Sequence, residues 1–364
     1  MTRTPISAAV LRHPGEAVSI ETALIDSPLP TEVRLRTLAV GLCHSDLHYV
    51  SGNLPIDVPA VLGHEVCGEV EAVGEACKDI RVGDRMVATI TPNCGKCANC
   101  VRGRAALCQR SAVERVREQP KLTDQDGIPI NQLGGIGAFA EAVLVSENAL
   151  VPVDSSVPST EACLLGCCVA TGFGAIVHGA HVSPLDTVAV IGCGGVGIAA
   201  IQAARIAGAS RVIAIDLHDE KLRRAQSFGA TDLVRADDRL VAAVHEKVPG
   251  GVDKSFEAVG SPTTATAAFN ILAPNGTATI LGLQPGGNTI SIDAEMLIEG
   301  DRKITGAYMG ANRLAQDMRS FSHHRRRGTL DLASMVTSTW SFEEINAGLK
   351  EMTNPDSVRA VVTI

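Results

Sequence analysis

A strand, a glycine-rich turn and a helix follow one another in the middle of the 364-residue chain. The apolar run TVAVI occupies 187–191 and a second run, RVIAID, occupies 211–216, with the alanine-rich stretch IAAIQAARIAGA between them. Two strands joined by one helix run parallel, because only a crossover connection lets the second strand point the same way as the first. The pattern therefore predicts an α/β fold built on a doubly wound parallel sheet.

The turn after the first of these strands reads GCGGVG at 192–197 and matches G-x-G-x-x-G. The first glycine permits a tight turn, the second lets the backbone approach a pyrophosphate, and the third lets the helix pack closely on the strand. Free N–H groups at the helix start favour phosphate. In this strand–turn–helix context the motif predicts a Rossmann dinucleotide site. Its cofactor-binding residues are predicted to be Gly192, Gly194, Gly195, Val196 and Gly197.

An acidic residue, Asp216, ends the second strand of this unit. A carboxylate at that place accepts hydrogen bonds from the ribose hydroxyls of adenosine and repels a 2′-phosphate. NAD is therefore the predicted cofactor, in preference to NADP. Lys221 is a candidate donor to the same ribose.

Four cysteines lie close together in the polar stretch between residues 91 and 135. They are Cys94, Cys97, Cys100 and Cys108, with the spacing C-x2-C-x2-C-x7-C. Four thiolates complete the tetrahedral shell of Zn²⁺ and leave no position for a substrate, so this spacing predicts a structural zinc. The metal would also anchor a loop that is long for a compact domain.

The composition of the chain argues against a nucleic-acid-binding protein and against a membrane protein. Hydrophobic residues make up 45% of the chain, charged residues 20%, and the formal net charge is −8, so no basic face for nucleic acid is expected. No apolar run of about 18 residues indicates a membrane span. Eleven cysteines without an apolar leader indicate a reducing compartment, and we expect a cytoplasmic protein.

A second set of metal ligands is spread over three segments. Cys43 lies in CHSDLH, His64 in GHE, and Cys167 in GCC, where Cys168 follows it directly. One Cys, one His and one further Cys would leave the fourth zinc position open, as in a catalytic site. The residues alone leave open which of the two adjacent cysteines is the ligand.

The chain resembles the zinc-dependent alcohol dehydrogenases of the medium-chain dehydrogenase/reductase superfamily. The resemblance rests on GLCHSDLH, GHE, CGKCANC with Cys108, GCCVATGFG, GCGGVG and SVRAVVTI, which run from residue 41 to the end. It implies a Rossmann domain at 169–308 and a β-rich GroES-like catalytic domain at 1–168, to which 309–364 return. It also implies two zinc ions per chain, one catalytic and one structural, and a small-molecule alcohol or carbonyl substrate.

Carried over residue by residue, the resemblance assigns further roles. Cys43, His64 and Cys167 would bind the catalytic zinc, with Glu65 behind the metal and Asp46 orienting His64. Ser45 would take the alcohol proton and His48 would pass it to solvent. His44 and Arg359 would contact the pyrophosphate, and Thr171 would border the nicotinamide. The long segment between Cys108 and Cys167 resembles the dimeric branch of the family and implies a homodimer.

Several functions remain open at this point. The leading hypothesis is an NAD-dependent enzyme that interconverts an alcohol and its aldehyde or ketone. Alternatives are a nicotinoprotein that retains its cofactor, a zinc-dependent aldehyde or enal reductase, and a non-catalytic NADH- or metal-binding redox sensor. The layout is also that of glutathione-dependent formaldehyde dehydrogenases. Their charged substrate-binding positions fall on Leu54 and Ala112 here, which argues against a glutathione adduct.

Overall fold

The structure is a computed structural model that describes residues 3–109 and 120–364. Ala112 therefore lies outside the described residues. The chain divides into two compact units. Unit 1 comprises Met1–Cys167, Leu314–Ser322 and Leu332–Ile364, and unit 2 comprises Cys168–Arg313 and His323–Asp331. The boundaries expected from the resemblance, at 168/169 and 308/309, stay a prediction.

The strands alternate with short helices in unit 1 and with longer helices in unit 2. The strands are β1 (Thr4–Leu11), β2 (Ser19–Ile25), β3 (Glu32–Gly41), β4 (Ala60–Val61), β5 (Glu65–Val73), β6 (Arg85–Ala88), β7 (Leu122–Thr123), β8 (Asn131–Gln132), β9 (Ala142–Ser146), β10 (Leu150–Pro152), β11 (Thr187–Ile191), β12 (Arg211–Asp216), β13 (Asp232–Arg235), β14 (Val252–Glu257), β15 (Leu272–Ile280), β16 (Lys303–Gly306), β17 (Val336–Ser341) and β18 (Arg359–Thr363).

The α-helices are α1 (His44–Val50), α2 (Ala98–Val101), α3 (Ser159–Ala162), α4 (Cys168–Gly174), α5 (Gly195–Ile206), α6 (Asp219–Ser227), α7 (Leu240–Lys247), α8 (Pro262–Asn270), α9 (Ala294–Glu299), α10 (Leu314–Arg326) and α11 (Ile345–Glu351). Short 3₁₀ turns occupy Ala105–Leu107, Leu133–Gly135, Glu147–Ala149, Cys163–Gly166, Tyr308–Ala311, Ala333–Met335 and Phe342–Glu344, and a π turn occupies Ala175–Gly179.

Unit 1 is built from two mostly antiparallel sheets. One has the order β7-β2-β1-β4-β8, and the other has the order β10-β6-β5-β3-β18-β17 with β9 also paired to β3. Buried side chains alternate with more exposed ones along much of β3, and Val33 and Leu35 on it are fully buried. The apolar faces of both sheets enclose one core, in which Phe139 and Leu62 are fully buried.

Unit 2 contains a six-stranded sheet of order β13-β12-β11-β14-β15-β16, in which every neighbouring pair is parallel. The strands at 187–191 and 211–216 are β11 and β12, and α5 joins them, so the predicted parallel α/β sheet is confirmed. The chain leaves β11 toward one side of the sheet and continues to β14 on the other side, which makes the β11/β14 boundary the point where strand order reverses.

Within the described ranges no single helix is long and apolar enough to cross a membrane. The bent pair Ser159–Gly166 and Cys168–Gly179, with 50° between its halves, meets the length and composition test only when both halves are counted together.

Candidate metal centres and dinucleotide site

The four clustered cysteines come together in space. One sulfur from each of Cys94, Cys97, Cys100 and Cys108 lies within 4.8 Å of the others. The Sγ–Sγ distances are 3.5 Å for Cys97–Cys100, 3.6 Å for Cys94–Cys108 and 3.9 Å for Cys97–Cys108. Four sulfurs at about 2.3 Å from one zinc stand roughly 3.8 Å apart in a tetrahedron. The sulfur cage therefore has the dimensions that this metal requires.

Backbone amides surround the sulfurs of this loop. The Cys97 N–H donates to Cys94 Sγ and the Cys94 N–H to Cys108 Sγ, each at 3.3 Å. An amide of Gln109 is the largest of the hydrogen-bond contributions that lower the pKa of Cys97 to about 6. Such donors stabilise thiolates, which are the form that binds zinc. The backbone donors thus favour the thiolate forms of Cys94 and Cys97, whereas burial raises the pKa of Cys100 and Cys108.

The second ligand set converges inside unit 1. One atom each of Cys43, His64, Glu65 and Cys167 lies within 4.8 Å of the others. His64, Glu65 and Cys167 are buried and Cys43 is half-buried. Cys168, the other candidate of the adjacent pair, is not part of this group and is instead the first residue of α4.

Separate elements deliver these side chains. Cys43 immediately precedes α1, and Glu65 is the first residue of β5, with His64 just before it. Cys167 lies in the non-helical break between the 3₁₀ turn Cys163–Gly166 and α4, with φ −137° and ψ −78°. Three chain segments therefore meet at element ends, where the backbone is free to turn a side chain inward.

Asp46 links two of these segments. Its side chain is fully buried and accepts hydrogen bonds from the backbone N–H of Cys43 at 2.9 Å and of Gly63 at 3.1 Å. Asp46 Oδ1 lies 3.4 Å from Nδ1 of His64. Burial lowers the pKa of His64, but Asp46 and Cys43 outweigh burial and raise it well above its usual value. A carboxylate at Nδ1 leaves Nε2 as the metal-binding nitrogen.

A buried ion pair lies beside the same cluster. A guanidinium nitrogen of Arg359 is 3.3 Å from Glu65 Oε1 and 4.0 Å from Cys43 Sγ, and another donates to the carbonyl of Leu42 at 3.3 Å. Burial raises the pKa of Glu65 to about 7, against the opposing charge of Arg359. A hydrogen bond with Cys167, followed by the charge of Arg359, lowers the pKa of Cys43 well below its usual value.

Whether a cation fits this cluster can be judged from its ligand atoms and from a buried oxygen that lacks a hydrogen-bond partner. Within the described part of the chain, Glu65 Oε2 has no hydrogen-bond partner although Glu65 is fully buried. Buried polar atoms are almost always paired. Two sulfurs, an imidazole and this carboxylate oxygen form a soft N/S/O set of the kind that zinc accepts. The residues present therefore fit a bound zinc ion.

The residues assigned to proton transfer lie on α1. Ser45 and His48 are three positions apart on this helix, so their side chains share one face, and both are half-buried. The described structure shows no hydrogen bond between them. His44 is exposed at the first position of the helix. Arg359, assigned to the pyrophosphate, is 3% exposed and lies against Glu65, so its contact with a cofactor stays a prediction.

In unit 2, the glycines of the 192–197 turn have the shape of a phosphate cradle. Gly192 has a φ of +94°, a left-handed conformation that favours glycine. A Cβ added to Gly197 would lie 1.8 Å from the Gly192 carbonyl oxygen, so only glycine allows the helix to start this close to the turn. A Cβ added to Gly194 meets no atom within 4 Å and would project into open space above the turn. That space suits a pyrophosphate.

Asp216 lies next to this turn. Its Oδ2 accepts the N–H of Cys193 at 2.8 Å and its Oδ1 accepts the N–H of His218 at 3.0 Å. Asp216 is 8% exposed, and these two backbone donors fix the position and the rotamer of its carboxylate. The charge of Lys221 also acts on Cys193, which places Lys221 near the same turn. Each carboxylate oxygen keeps acceptor capacity for a ribose hydroxyl.

Thr171 packs against a turn that the sequence patterns did not single out. Met309, Gly310 and Ala311 have left-handed φ values of +48°, +65° and +53°. A Cβ added to Gly310 would lie 1.9 Å from the Thr171 carbonyl oxygen, and the Thr171 hydroxyl lies 3.8 Å from Met309 Sδ. Met309 and Ala311 carry backbone strain, and no propensity rule predicts two strained residues flanking one glycine.

Two family models match the chain. Residues 29–155 match the alcohol dehydrogenase GroES-like domain, and residues 195–323 match the zinc-binding dehydrogenase domain. Both domains of the predicted fold class are thereby confirmed.

Solved structures resemble the chain along its whole length. An alcohol dehydrogenase zinc-binding domain protein from Burkholderia ambifaria is 31% identical, with a TM-score of 0.93, over 100% of this chain and 99% of that one. Benzyl alcohol dehydrogenase from Acinetobacter calcoaceticus is 29% identical, with a TM-score of 0.90, over 99% of each chain. A protein from Sinorhizobium meliloti, assigned as a zinc-binding dehydrogenase and bound to NADP, is 26% identical, with a TM-score of 0.79, over 99% and 100% of the two chains.

Proposed function

Because this chain belongs to the zinc-dependent alcohol dehydrogenases of the medium-chain dehydrogenase/reductase superfamily, we propose that it is an NAD-dependent enzyme that interconverts a small alcohol and its aldehyde or ketone. The observation that carries the proposal is the convergence of Cys43, His64, Glu65 and Cys167 within 4.8 Å, separate from the four-cysteine loop. A protein needing zinc only for folding has no use for this second, mixed set of ligands.

Cys43, His64 and Cys167 are the proposed ligands of the catalytic zinc, and Glu65 would be an exchangeable fourth ligand. Zinc held there supplies Lewis-acid polarisation of a substrate oxygen. Asp46 orients His64 through Nδ1, and the hydrogen bonds that it accepts from the amides of Cys43 and Gly63 hold two ligand segments together. Arg359 stabilises negative charge on Cys43 and Glu65 from a buried position.

Ser45 and His48 are the proposed proton path. Ser45 Oγ takes the proton of the substrate hydroxyl in oxidation and returns it in reduction, and the His48 imidazole exchanges that proton with solvent. Their shared face on α1, directly after the ligand Cys43, supports these roles. An imidazole suits the outer position, because one ring nitrogen can accept a proton while the other donates one. A redox sensor would need neither group.

NAD is the proposed cofactor, and it accepts or donates the hydride when bound. The turn at 192–197 would hold its pyrophosphate and Thr171 would border the nicotinamide, while contacts of His44 and Arg359 with the pyrophosphate stay predictions from the resemblance. The fixed carboxylate of Asp216 supports NAD over NADP, with Lys221 as a donor to the ribose. Because a relative at 26% identity binds NADP, Asp216 is the residue on which this preference is to be tested.

The decisive experiment combines turnover with metal content. Protein purified without chelator is assayed for NADH formation from aliphatic, allylic and aromatic alcohols, benzyl alcohol included, and for zinc by elemental analysis. We expect two zinc ions per chain, turnover with NAD exceeding that with NADP, and relaxed discrimination in Asp216→Gly. A reproducible single zinc with an intact 94–108 loop, or better turnover with NADP, would contradict the respective proposal.

The same preparation separates the alternatives. A cofactor that stays with the protein through gel filtration and dialysis would favour a nicotinoprotein. Reduction of aldehydes or enals without measurable alcohol oxidation would favour a reductase, and zinc and NADH binding without turnover of any substrate would favour a sensor. Homodimer formation, proposed from the long segment before Cys167, is checked by sedimentation equilibrium.

A further inference from the structure

Glu257 is a fully buried carboxylate that neither the sequence motifs nor the proposed mechanism uses. It is the last residue of β14 and pairs in register with Ile191, the last residue of β11. Strand order reverses between these two strands, and ligands of such sheets bind outside the carboxyl ends at that point. Glu257 therefore stands directly beneath the dinucleotide crevice, on the side opposite the 192–197 turn.

One oxygen of this carboxylate holds the turn that follows β14. Glu257 Oε1 accepts the backbone N–H of Val259 at 2.9 Å, the N–H of Gly260 at 2.7 Å and the hydroxyl of Thr264 at 2.7 Å. Thr264 lies in the first turn of α8, so the carboxylate ties the turn to the start of that helix. Three donors on one oxygen fix the turn in a single conformation.

The turn Ala258–Gly260 lies between the glycine fingerprint and the end of β15. The Ala258 N–H donates to the Ile191 carbonyl at 2.8 Å, and a Cβ added to Gly192 would lie 2.8 Å from Val259 Cγ2. Gly260 has a φ of +89°, and its added Cβ would lie 2.4 Å from the Leu283 carbonyl oxygen. Val259 is 52% exposed, so the turn contacts the fingerprint and also presents a side chain outward.

The second oxygen of the Glu257 carboxylate shows that burying this side chain does not serve stability alone. Glu257 Oε2 has no hydrogen-bond partner within 3–109 and 120–364, and a Cβ added to Gly282 would lie 2.8 Å from it. A buried carboxylate with an unsatisfied oxygen is unfavourable for folding. Its benefit must then come from what Oε1 holds in place.

We propose that Glu257 is a positioning residue for the dinucleotide: by clamping the Ala258–Gly260 turn against the fingerprint, it preorganises the wall of the crevice that faces the phosphate turn. The inference rests on the proposed dinucleotide binding. A turn that is already ordered adds no ordering cost to ligand binding, so removing the clamp weakens binding without changing a direct contact.

The test compares three variants for NADH affinity, by fluorescence titration, and for amide exchange of the 256–262 segment, by hydrogen–deuterium exchange. Glu257→Gln keeps an acceptor oxygen and should bind NADH within about 3-fold of wild type. Glu257→Met has similar size but no acceptor, and should bind at least about 10-fold more weakly because two amides and a hydroxyl lose their partner. Its Val259 and Gly260 amides should exchange faster, while zinc content stays unchanged.

Ser255→Ala is the matched control. Ser255 is buried on the same strand, and its hydroxyl donates to the Ala268 carbonyl at 2.6 Å. It should lower thermal stability and leave NADH affinity unchanged. If Glu257→Met does not fold, Thr264→Val removes the hydroxyl donor to Oε1, together with the bonds of that hydroxyl to Ser261 Oγ and the Ser261 carbonyl, and should weaken NADH binding by about 3-fold.

The outcomes separate this inference from the proposed function. Wild-type protein that binds neither NADH nor NADPH refutes the proposed function itself. Wild-type protein that binds NADH, with equal affinity and equal exchange in Glu257→Met or in Thr264→Val, refutes only the role of Glu257. If Ser255→Ala weakens NADH binding as much as Glu257→Met does, the loss of affinity comes from general destabilisation. That result would also refute the role of Glu257.

Discussion

The two cysteine-containing clusters of unit 1 use the same ligand atom in opposite ways. The loop cluster takes all four sulfurs from 94–108, and each of its cysteines is half-buried and surrounded by backbone amides. The second cluster takes its ligands from positions 43 to 167, buries three of four, and adjoins the charges of Asp46 and Arg359. Four identical thiolates that accept hydrogen bonds from neutral backbone amides suit a closed structural site. A mixed ligand set beside buried charges suits a site at which chemistry takes place.

Substitution of a ligand in the buried cluster should have the largest effect. Cys167→Ser should lose about one zinc per chain and lower kcat/KM by roughly 10³-fold, since metal polarisation contributes several kcal/mol. Cys168→Ser is the control, because Cys168 is also buried but lies outside the ligand group, and this variant should keep both ions. Loss of activity and zinc in Cys168→Ser alone would reverse the assignment. Elemental analysis with steady-state kinetics decides.

Substitution in the loop cluster should affect folding more than chemistry. Cys97→Ser should remove the other zinc and several kcal/mol of stability, because binding of a structural metal is folding free energy. At about 2–4 °C per kcal/mol this is on the order of 10 °C in Tm. The surviving folded fraction should keep near-normal turnover per buried-site zinc. Cys77→Ser, at a half-buried cysteine outside both clusters, should change Tm little. A fully metal-loaded, stable Cys97→Ser protein would contradict the structural role.

The proposed proton path lies on α1, directly after Cys43 of the buried cluster. Ser45→Ala should lower the rate by about 10²-fold or more, within the usual range for acid–base groups. His48→Gln should have a smaller effect, because water can replace an imidazole at the outer end, and small-amine buffers should restore part of the rate. Its rate should rise more steeply with pH below neutrality. Unchanged turnover in Ser45→Ala would rule out the path as a whole.

The charge beside His64 should matter less than the ligands themselves. Asp46→Asn keeps the shape but loses the charge that orients the imidazole, and zinc affinity of the buried site should fall by about 10-fold or more. Competition with a chromophoric chelator measures it. Asp84→Asn is the control, since Asp84 accepts the Arg81 amide in a surface turn of the same unit. Equal zinc affinity in Asp46→Asn and Asp84→Asn would show that charge at this place is not needed.

The smallest expected effect is on how the free energy of unfolding of the metal-free protein depends on pH. Burial raises the pKa of Glu65 to about 7, so the folded chain holds a proton that the unfolded chain releases above its ordinary pKa near 4.5. The free energy of unfolding should therefore fall as pH rises through this window, by roughly 1 kcal/mol between pH 6 and 7. Glu65→Gln should flatten this decline, whereas Glu69→Gln, at a half-buried position of the same strand where Glu69 pairs with Arg36, should not. Denaturant unfolding at stepwise pH measures both slopes.

Much of the fold could be predicted because its signals are local. The strands at 187–191 and 211–216, the helix between them and the glycine turn follow from apolar periodicity and from steric requirements of a few adjacent residues. The family resemblance, confirmed by the matched domains, supplied the β-rich architecture of unit 1, whose short strands such as β4 and β8 carry too few residues for a periodic signal.

The sequence by itself determined the loop cluster, because ligands a few residues apart can meet through short-range turns alone. It also determined the glycine fingerprint with its acidic residue. The residues alone left Cys167 and Cys168 open and the resemblance implied Cys167, but only the tertiary structure groups Cys167 with Cys43, His64 and Glu65, because it has Cys167 in the non-helical break before α4. Likewise it alone revealed Glu257 and the strained turn at 309–311, because a buried carboxylate and a left-handed backbone depend on neighbours that are distant in the chain.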